Sequence, residues 1–329
     1  MIEQFRQNKL GIGILLFLAA LFVRVALIFL LGTYPLPVNN LGALTGFMQW
    51  LNGHLYVSML LSFSMLCIQA YLVNSICIRS GALQGSGILG TYFFLLLNTL
   101  FVENLFFSMA QIGNLFIVFG LNLLFQLKEG YNTRLLFYSA FLFGIGMLFI
   151  PDHIWILVFV ILGILVFKAI VIKDVIAVVL GLAMPLYIAK SIGYLFSLTS
   201  IEIGNIHVVA LSLQSLLSLG FFPNADYVVM GIFLLASFLG LFHQFGIYFN
   251  RNIEARRSIS LNALFFFYCL VMLLLHWRNL QQFHSLLSIP STFLLVSFYN
   301  EDRLGLWKRF INLMLLVLAL FSLLGRFFI

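Results

Sequence analysis

The stretch LGIGILLFLAALFVRVALIFLL, residues 10–31, decides the fold class, because it is long and apolar enough to cross a lipid bilayer as a helix. Arg24 is its one charged residue. The polar segment MIEQFRQNK precedes it, and no small-residue cleavage site follows before Arg24. A signal-peptide core is shorter, about 7–15 residues. We therefore expect a retained first membrane span.

Apolar runs of similar length recur along the rest of the chain. They predict an all-α, polytopic transmembrane helical bundle of about eleven spans. The predicted spans lie near residues 10–31, 55–77, 87–102, 104–126, 135–151, 154–171, 174–196, 226–249, 259–277, 284–299 and 310–328. No polar linker, low-complexity tract or internal repeat divides the chain, so residues 1–329 are expected to form a single integral membrane domain.

The overall composition excludes a water-soluble globular protein. Of the 329 residues 63% are hydrophobic and only 8% are charged, and the mean hydropathy is +1.12. A soluble domain of this size could not cover so much apolar surface with polar side chains. A lipid bilayer is therefore the first expected partner.

The basic residues predict the orientation of the spans. Of 17 lysines and arginines, 13 fall in alternate loops, as the positive-inside rule requires of cytoplasmic loops. The N-terminus is thus expected in the cytoplasm and the C-terminus in the periplasm, in a bacterial inner membrane. The net charge of +7 then reflects topology, and no nucleic-acid partner is expected.

Two predicted outer connections are long, residues 32–54 and about 197–224. The first contains an apolar segment suited to a short surface helix, Leu41–Leu51, and the second contains the amphipathic stretch HVVALSLQSLLSLGFF. Each segment has two interpretations. It packs as a lid on the outer ends of the spans, or it contacts a substrate there.

Known catalytic and cofactor motifs are missing from the sequence. It has no phosphate-binding Walker loop, dinucleotide glycine pattern, serine nucleophile elbow or HExxH zinc motif. The three cysteines lie in apolar spans without metal-ligand spacing, which favours apolar packing. We therefore expect neither a metal nor a cofactor, and whether the protein is an enzyme is left open.

Titratable side chains concentrate on the predicted outer face, which is thus the expected working face. The acids there are Glu103, Asp152, Glu202 and Asp226, and the histidines are His54, His153, His207, His276 and His284. Asp152 and His153 form an adjacent acid and histidine, a general-base arrangement that is also ordinary turn chemistry after Pro151. Asp152 and Glu103 are the catalytic candidates, and His153, His54 and His207 are candidate substrate-binding residues.

Arg24 is the sharpest single feature. A rise of about 1.5 Å per residue places it roughly 21 Å from the start of a hydrocarbon core that is about 30 Å thick. A cation at this depth is costly unless it meets an acid or reaches the interface. Two interpretations follow: an ion pair with Glu103 or Asp152 that locks helices together, or an anchor for the phosphate of a lipid carrier.

Amide side chains also recur inside the spans. Gln111, Asn114 and Asn122 share one face of the fourth span, and the second and third spans add Gln69, Asn74 and Asn98. Amides in a bilayer turn inward and form hydrogen bonds between helices. We expect these to hold helices together, with a polar conduit as the second interpretation.

Three segments suggest a family resemblance: IQAYLVNSICIRSGALQGSGILGTYFFLLLNTLFVENLFFS, RLLFYSAFLFGIGMLFIPDHIWILVFVILGILVFK and GLAMPLYI. Together they resemble an uncharacterised family of Bacteroidota inner-membrane proteins, which implies a role in the cell envelope. More distantly, the layout is similar to the GT-C-like glycosyltransferases that use polyprenyl-phosphate sugars. Their first outer loop normally carries a catalytic acid near its start, whereas residues 32–53 contain none.

Two functions follow as hypotheses. The first is an inner-membrane protein with a GT-C-like scaffold that binds a polyprenyl-phosphate-linked glycan at the outer leaflet. The second is a non-enzymatic subunit or assembly factor of a Bacteroidota envelope machine, such as a secretion or gliding apparatus, with other membrane subunits as partners. The clustered outer titratable groups favour the first, and the acid-free first loop favours the second.

Overall fold

The protein is all-α in a computed structural model, which describes residues 10–31, 50–51, 53–82, 87–99, 104, 106–127, 132–150, 154–167, 171–195, 225–275, 280–300, 311–315 and 317. Within these ranges lie ten long α-helices and a 3₁₀ helix, Tyr248–Asn250. The α-helices are α1 (Leu10–Leu31), α2 (Leu55–Arg79), α3 (Leu89–Thr99), α4 (Met109–Gln126), α5 (Thr133–Phe149), α6 (Ile156–Phe167), α7 (Ile172–Leu195), α8 (Ala225–Ile247), α9 (Ile253–Leu275) and α10 (Leu280–Tyr299).

The helices agree with ten of the predicted spans in position, although not always in length. Stretches of α2, α4, α7, α8 and α9 are each long and apolar enough to cross a membrane: Leu55–Arg79, Met109–Gln126, Ile172–Ile192, Val229–Asn250 and Ile253–Leu275. Multi-pass membrane character is thereby confirmed. The helix α3 has 11 residues, fewer than predicted. Most of the eleventh predicted span lies outside the described residues, so the total number of spans stays a prediction.

The helix α10 forms the centre of the bundle. Its residues are buried continuously from Phe283 to Ser297, and it packs against α2, α3, α4, α8 and α9. Small side chains allow this many neighbours to approach one helix. At Gly240 of α8, for example, an added Cβ would lie 3.0 Å from the backbone of Leu294.

The helices α4, α5 and α7 form the most closely packed layer. An added Cβ at Gly181 of α7 would lie 2.8 Å from the backbone oxygen of Phe137 in α5, and one at Gly144 of α5 would lie 2.7 Å from that of Leu182 in α7. Backbone-to-backbone contact of this kind requires glycine on both sides of the interface. Such close packing is what holds helices together within lipid, because the hydrophobic effect does not act between them there.

Hydrogen bonds at both ends show that α2 and α4 run in the same direction. Near their starts, the amide of Phe107 donates to Ser58 Oγ over 3.1 Å. Near their ends, Arg79 Nη1 donates to Asn122 Oδ1 over 3.4 Å. The intervening α3 runs in the opposite direction and packs against α2 and α10, as expected for consecutive spans.

The helix α10 runs parallel to α2 and α4, which defines two ends of the bundle. At its finish, Asn300 Nδ2 donates to the backbone oxygen of Ala82 over 3.0 Å. We call this the Gly81 end, after the glycine with φ +76° in the turn that follows α2. The opposite end, where α1 brings Arg24 against α2, is called the Arg24 end.

Several cations lie at the Gly81 end. Arg79 is bound to Asn122 there, and Arg251 shares a pocket with Gly81. Thr133 Oγ1 donates to Asp174 Oδ1 over 3.1 Å, which brings together the helix starts that carry Arg134 and Lys173. This distribution agrees with the predicted alternation of basic loops. Which side of the membrane this end faces stays a prediction.

Candidate functional site

Arg24 is buried inside the bundle, with 2% of its surface exposed. Its Nη1 donates to Ser62 Oγ over 3.3 Å, and its Nη2 donates to the backbone oxygen of Asn104 over 3.2 Å. The guanidinium carbon lies 5.5 Å from the centroid of the Phe63 ring, within cation–π range. These contacts with the described residues are all to neutral groups.

The backbone oxygen of Asn104 is the acceptor around which this site is built. Besides Arg24, it accepts from Ser62 Oγ at 2.8 Å and from Gln111 Nε2 at 3.1 Å. Gln111 Nε2 also donates to Ser62 Oγ over 2.8 Å. Three helices, α1, α2 and α4, thus converge on one carbonyl between α3 and α4.

The side chain of Asn104 extends the site toward the central helix. Its Nδ2 lies 3.2 Å from Asn98 Oδ1 and 2.7 Å from His284 Nε2. Asn98 Nδ2 in turn donates to Ser288 Oγ over 3.0 Å. We call Arg24, Ser62, Asn98, Asn104, Gln111 and His284 the Arg24 cluster, and every one of these side chains is buried.

Two acceptor oxygens, one in this cluster and one beside it, accept no hydrogen bond. The Oε1 of Gln111 and the Oδ1 of Asn114 are buried without a hydrogen-bond partner. The donor of Asn114 is used, since its Nδ2 donates to Ser285 Oγ over 2.6 Å. A buried polar atom without a partner costs about 1–3 kcal/mol. The site therefore combines a buried cation with free acceptors, which suits a ligand that carries both an anion and hydroxyl donors.

The predicted site residues fall into three groups. Arg24 lies at the centre of the cluster. His54 lies at the start of α2 and is exposed; its Nδ1 is 2.9 Å from the backbone oxygen of Trp50, and the two rings stack with centroids 4.7 Å apart. Glu103, Asp152, His153 and His207 lie outside the described residues, and their predicted roles are not tested.

The sequence interpretation did not single out Ser62, Asn104 or His284 as neighbours of Arg24. His284 was expected at the outer face without a role in the site. The amides expected to join helices do so in part, since Gln69 Nε2 donates to the backbone oxygen of Gln111 over 2.8 Å. The sequence feature that can identify such residues is a polar side chain within an apolar run, because it indicates a position that faces the inside of the bundle.

Metal binding finds no support in the part of the chain that the structure describes. No group of three or more histidine, cysteine, aspartate or glutamate side chains there could hold a metal ion.

Comparison with known proteins adds no family to these observations. No protein-family model matches the chain, no curated protein is significantly similar to it, and no solved structure matches its fold. The fold and composition define a multi-pass, all-α membrane protein. The resemblance to a Bacteroidota family and the GT-C-like layout stay predictions.

Proposed function

We propose that this protein binds a polyprenyl-phosphate-linked glycan within the inner membrane, with the Arg24 cluster holding the phosphate. The observation that carries this proposal is the burial of the Arg24 guanidinium among neutral groups of the described helices.

The charge of Arg24 is the first argument. Placing a cation within a membrane segment costs about 2.5–3.5 kcal/mol on insertion scales. Among the described residues, the hydroxyl and carbonyl oxygens that bind Arg24 satisfy its hydrogen bonds but supply no negative charge. A phosphate compensates the charge of Arg24, and the planar guanidinium binds phosphate oxygens in a two-pronged geometry that a lysine cannot reproduce.

The surrounding polar groups are the second argument. A glycan attached to the phosphate presents many hydroxyl donors, and Gln111 Oε1 and Asn114 Oδ1 are acceptors without partners. An isoprenoid chain needs an apolar path beside the site. The helix α1 provides one, since Leu15, Leu18 and Phe22 expose more than half of their surfaces to the surroundings of the bundle.

Transfer chemistry is a further part of the proposal. Glu103 and Asp152 are the candidate bases, because an ionised carboxylate can accept the proton of an attacking hydroxyl group. The alternative function is a non-enzymatic subunit or assembly factor of an envelope machine. In that case Arg24 holds helices together, and partner subunits cover the apolar outer faces.

Native mass spectrometry separates these functions. The protein is released from its own membrane in mild detergent, and its bound molecules are identified. We expect a polyprenyl-phosphate species on the wild type, retained less by Arg24→Gln and retained fully by Arg134→Gln, which removes an exposed arginine at the opposite end. Arg24→Lys keeps the charge and is expected to retain an intermediate amount.

Stoichiometric protein subunits without such a lipid would overturn the proposal and favour the alternative. Equal lipid retention by Arg24→Gln and Arg134→Gln would also overturn it. Each variant is first checked for its helix content and monodispersity. Because Arg24→Lys retains a cation, it tests the site even if Arg24→Gln fails to fold.

A further inference from the structure

A second polar site lies at the Gly81 end, remote from the Arg24 cluster. An open pocket of about 390 Å³ lies between the turn after α2 and the turn that joins α8 to α9. Its lining consists of Ser80, Gly81, Asn250, Arg251, Asn252, Glu254 and Ala255. Since the second of these turns joins two candidate membrane spans, Val229–Asn250 and Ile253–Leu275, we expect the pocket to open at the boundary between lipid and water.

The backbone around this pocket is fixed by a glycine turn and by two side-chain hydrogen bonds to the backbone. Gly81 has φ +76°, and an added Cβ there would meet nothing within 4 Å. Ser80 Oγ donates to the backbone oxygen of Cys77, and Asn252 Oδ1 accepts from the amide of Ala255. Ser80 and Asn252 therefore stabilise the two turns that form its walls, and Arg251 and Glu254 are the charged residues of its lining.

A second, smaller cavity adjoins this pocket and is lined by an unpartnered amide. This narrow cavity of about 10 Å³, the size of one water molecule, shares Ser80, Gly81 and Arg251 with the open pocket and reaches Gln244. Gln244 is completely buried, and both its Oε1 and its Nε2 lack hydrogen-bond partners. Because both amide atoms of Gln244 are buried and unpaired, we expect this small cavity to hold a polar group that pairs with them.

We infer that this pocket binds the headgroup of a zwitterionic phospholipid that carries a primary ammonium, of the phosphoethanolamine type. The phosphate meets Arg251, the ammonium meets Glu254, and a phosphate oxygen or its water reaches the amide of Gln244. One cation and one carboxylate in the same pocket match a ligand with both charges. An anionic headgroup without an ammonium would leave Glu254 facing it unfavourably.

The test measures headgroup preference on the full chain. Purified protein in a neutral detergent is titrated with phosphatidylethanolamine, phosphatidylcholine and phosphatidylglycerol of identical acyl chains, and bound lipid is counted by native mass spectrometry. We expect phosphatidylethanolamine to bind about 10-fold more tightly than the other two lipids. Hydrogen exchange is expected to show protection of residues 79–82 and 250–255 on binding.

Three variants assign the recognition to named side chains. Glu254→Gln is expected to abolish the preference for phosphatidylethanolamine over phosphatidylcholine, and Arg251→Gln is expected to weaken the binding of both. Gln244→Leu is expected to weaken lipid binding while stabilising the protein, because it removes an unpartnered buried amide. If Gln244 had only a structural role, the substitution would not lower lipid binding while it raised the stability of the protein. Arg134→Gln, at the same end but outside the pocket, is the control.

Equal binding of the three lipids by the wild type would overturn the inference. Protection of residues 79–82 and 250–255 by soluble glycerophosphoethanolamine but not by the lipid would also overturn it, by assigning the site to a water-soluble ligand. The proposed polyprenyl-phosphate site is tested separately through Arg24, so either site can fail while the other stands.

Discussion

Asn104 Nδ2 and His284 Nε2 lie 2.7 Å apart, although 180 residues separate them in the chain. In this contact the amide nitrogen of Asn104 is the donor and the imidazole Nε2 of His284 is the acceptor. The bond joins the segment before α4 to the start of the central helix. The same residue, Asn104, provides the backbone oxygen that accepts from Arg24, so this bond links the Arg24 site to the core of the bundle.

Removal of the Asn104 side chain is expected to destabilise the protein. Asn104→Ala leaves His284 Nε2 and Asn98 Oδ1 without this donor inside the bundle, at a cost of about 1–3 kcal/mol. Reversible unfolding in mixed detergent measures the free energy of unfolding. Ser64→Ala is the control, because Ser64 is exposed and its hydroxyl bonds only to its own helix, through the Leu61 oxygen. Equal stability of the two variants would contradict this prediction.

The interface between α5 and α7 is expected to reject even one added methyl group. In Gly181→Ala the new Cβ would lie 2.8 Å from both the Ala140 Cβ and the Phe137 backbone oxygen. Overpacking of this kind costs about 1–3 kcal/mol. In Gly231→Ala the new Cβ meets nothing within 4 Å, so the better helix propensity of alanine should stabilise α8 by up to about 1 kcal/mol. Thermal unfolding of the two variants should shift in opposite directions; a shift in the same direction would argue against the described packing.

Asn74 is expected to protect the start of α3. Its Oδ1 accepts from the amides of Gly90 and Thr91 at 3.0 and 3.3 Å, and its Nδ2 donates to the Gly87 oxygen over 3.1 Å. In Asn74→Ala, hydrogen exchange at these two amides should accelerate. The control is Asn132→Ala, which removes a cap at Arg134 of α5 and should leave α3 unchanged. Unchanged exchange at Gly90 and Thr91 would show that another group caps α3.

The basic residues predict the orientation of the bundle, with the Gly81 end in the cytoplasm. Single cysteines are placed at the exposed positions His54 and Asn252, in a background where the native cysteines are replaced. A membrane-impermeant thiol reagent should label the His54→Cys variant in cells with a permeabilised outer membrane. It should label Asn252→Cys only after the inner membrane is opened. The reverse pattern would place the Gly81 end in the periplasm.

Much of the fold could be predicted from apolar runs alone. The bounds of α1 agree with the predicted span residue for residue, because the run Leu10–Leu31 is interrupted by a single charge. The predicted tenth span was too short, since α10 begins at Leu280, four residues before the predicted start. The four missed residues read LQQF, and their two glutamines interrupt the apolar run without ending the helix.

The site was predictable only in part, for a related reason. A buried cation is visible in a sequence because it is rare in a membrane span, so Arg24 was found. Ser62 and Asn104 could not be found, since the contacts that join them to Arg24 span 38 and 80 residues. Such contacts depend on which helix faces meet, and the pattern of apolar and polar residues along the chain does not indicate that.

The central claim is that Arg24 binds a lipid phosphate, and the most direct test compares two ligands that differ only in that group. The dissociation constants of a polyprenyl phosphate and the corresponding polyprenol are measured for the wild type and Arg24→Gln in the same detergent. A charged hydrogen bond contributes about 1.5–3 kcal/mol. We therefore expect the wild type to prefer the phosphate by about 10- to 100-fold and Arg24→Gln to lose that preference. Equal affinity of the wild type for the two lipids would contradict the claim.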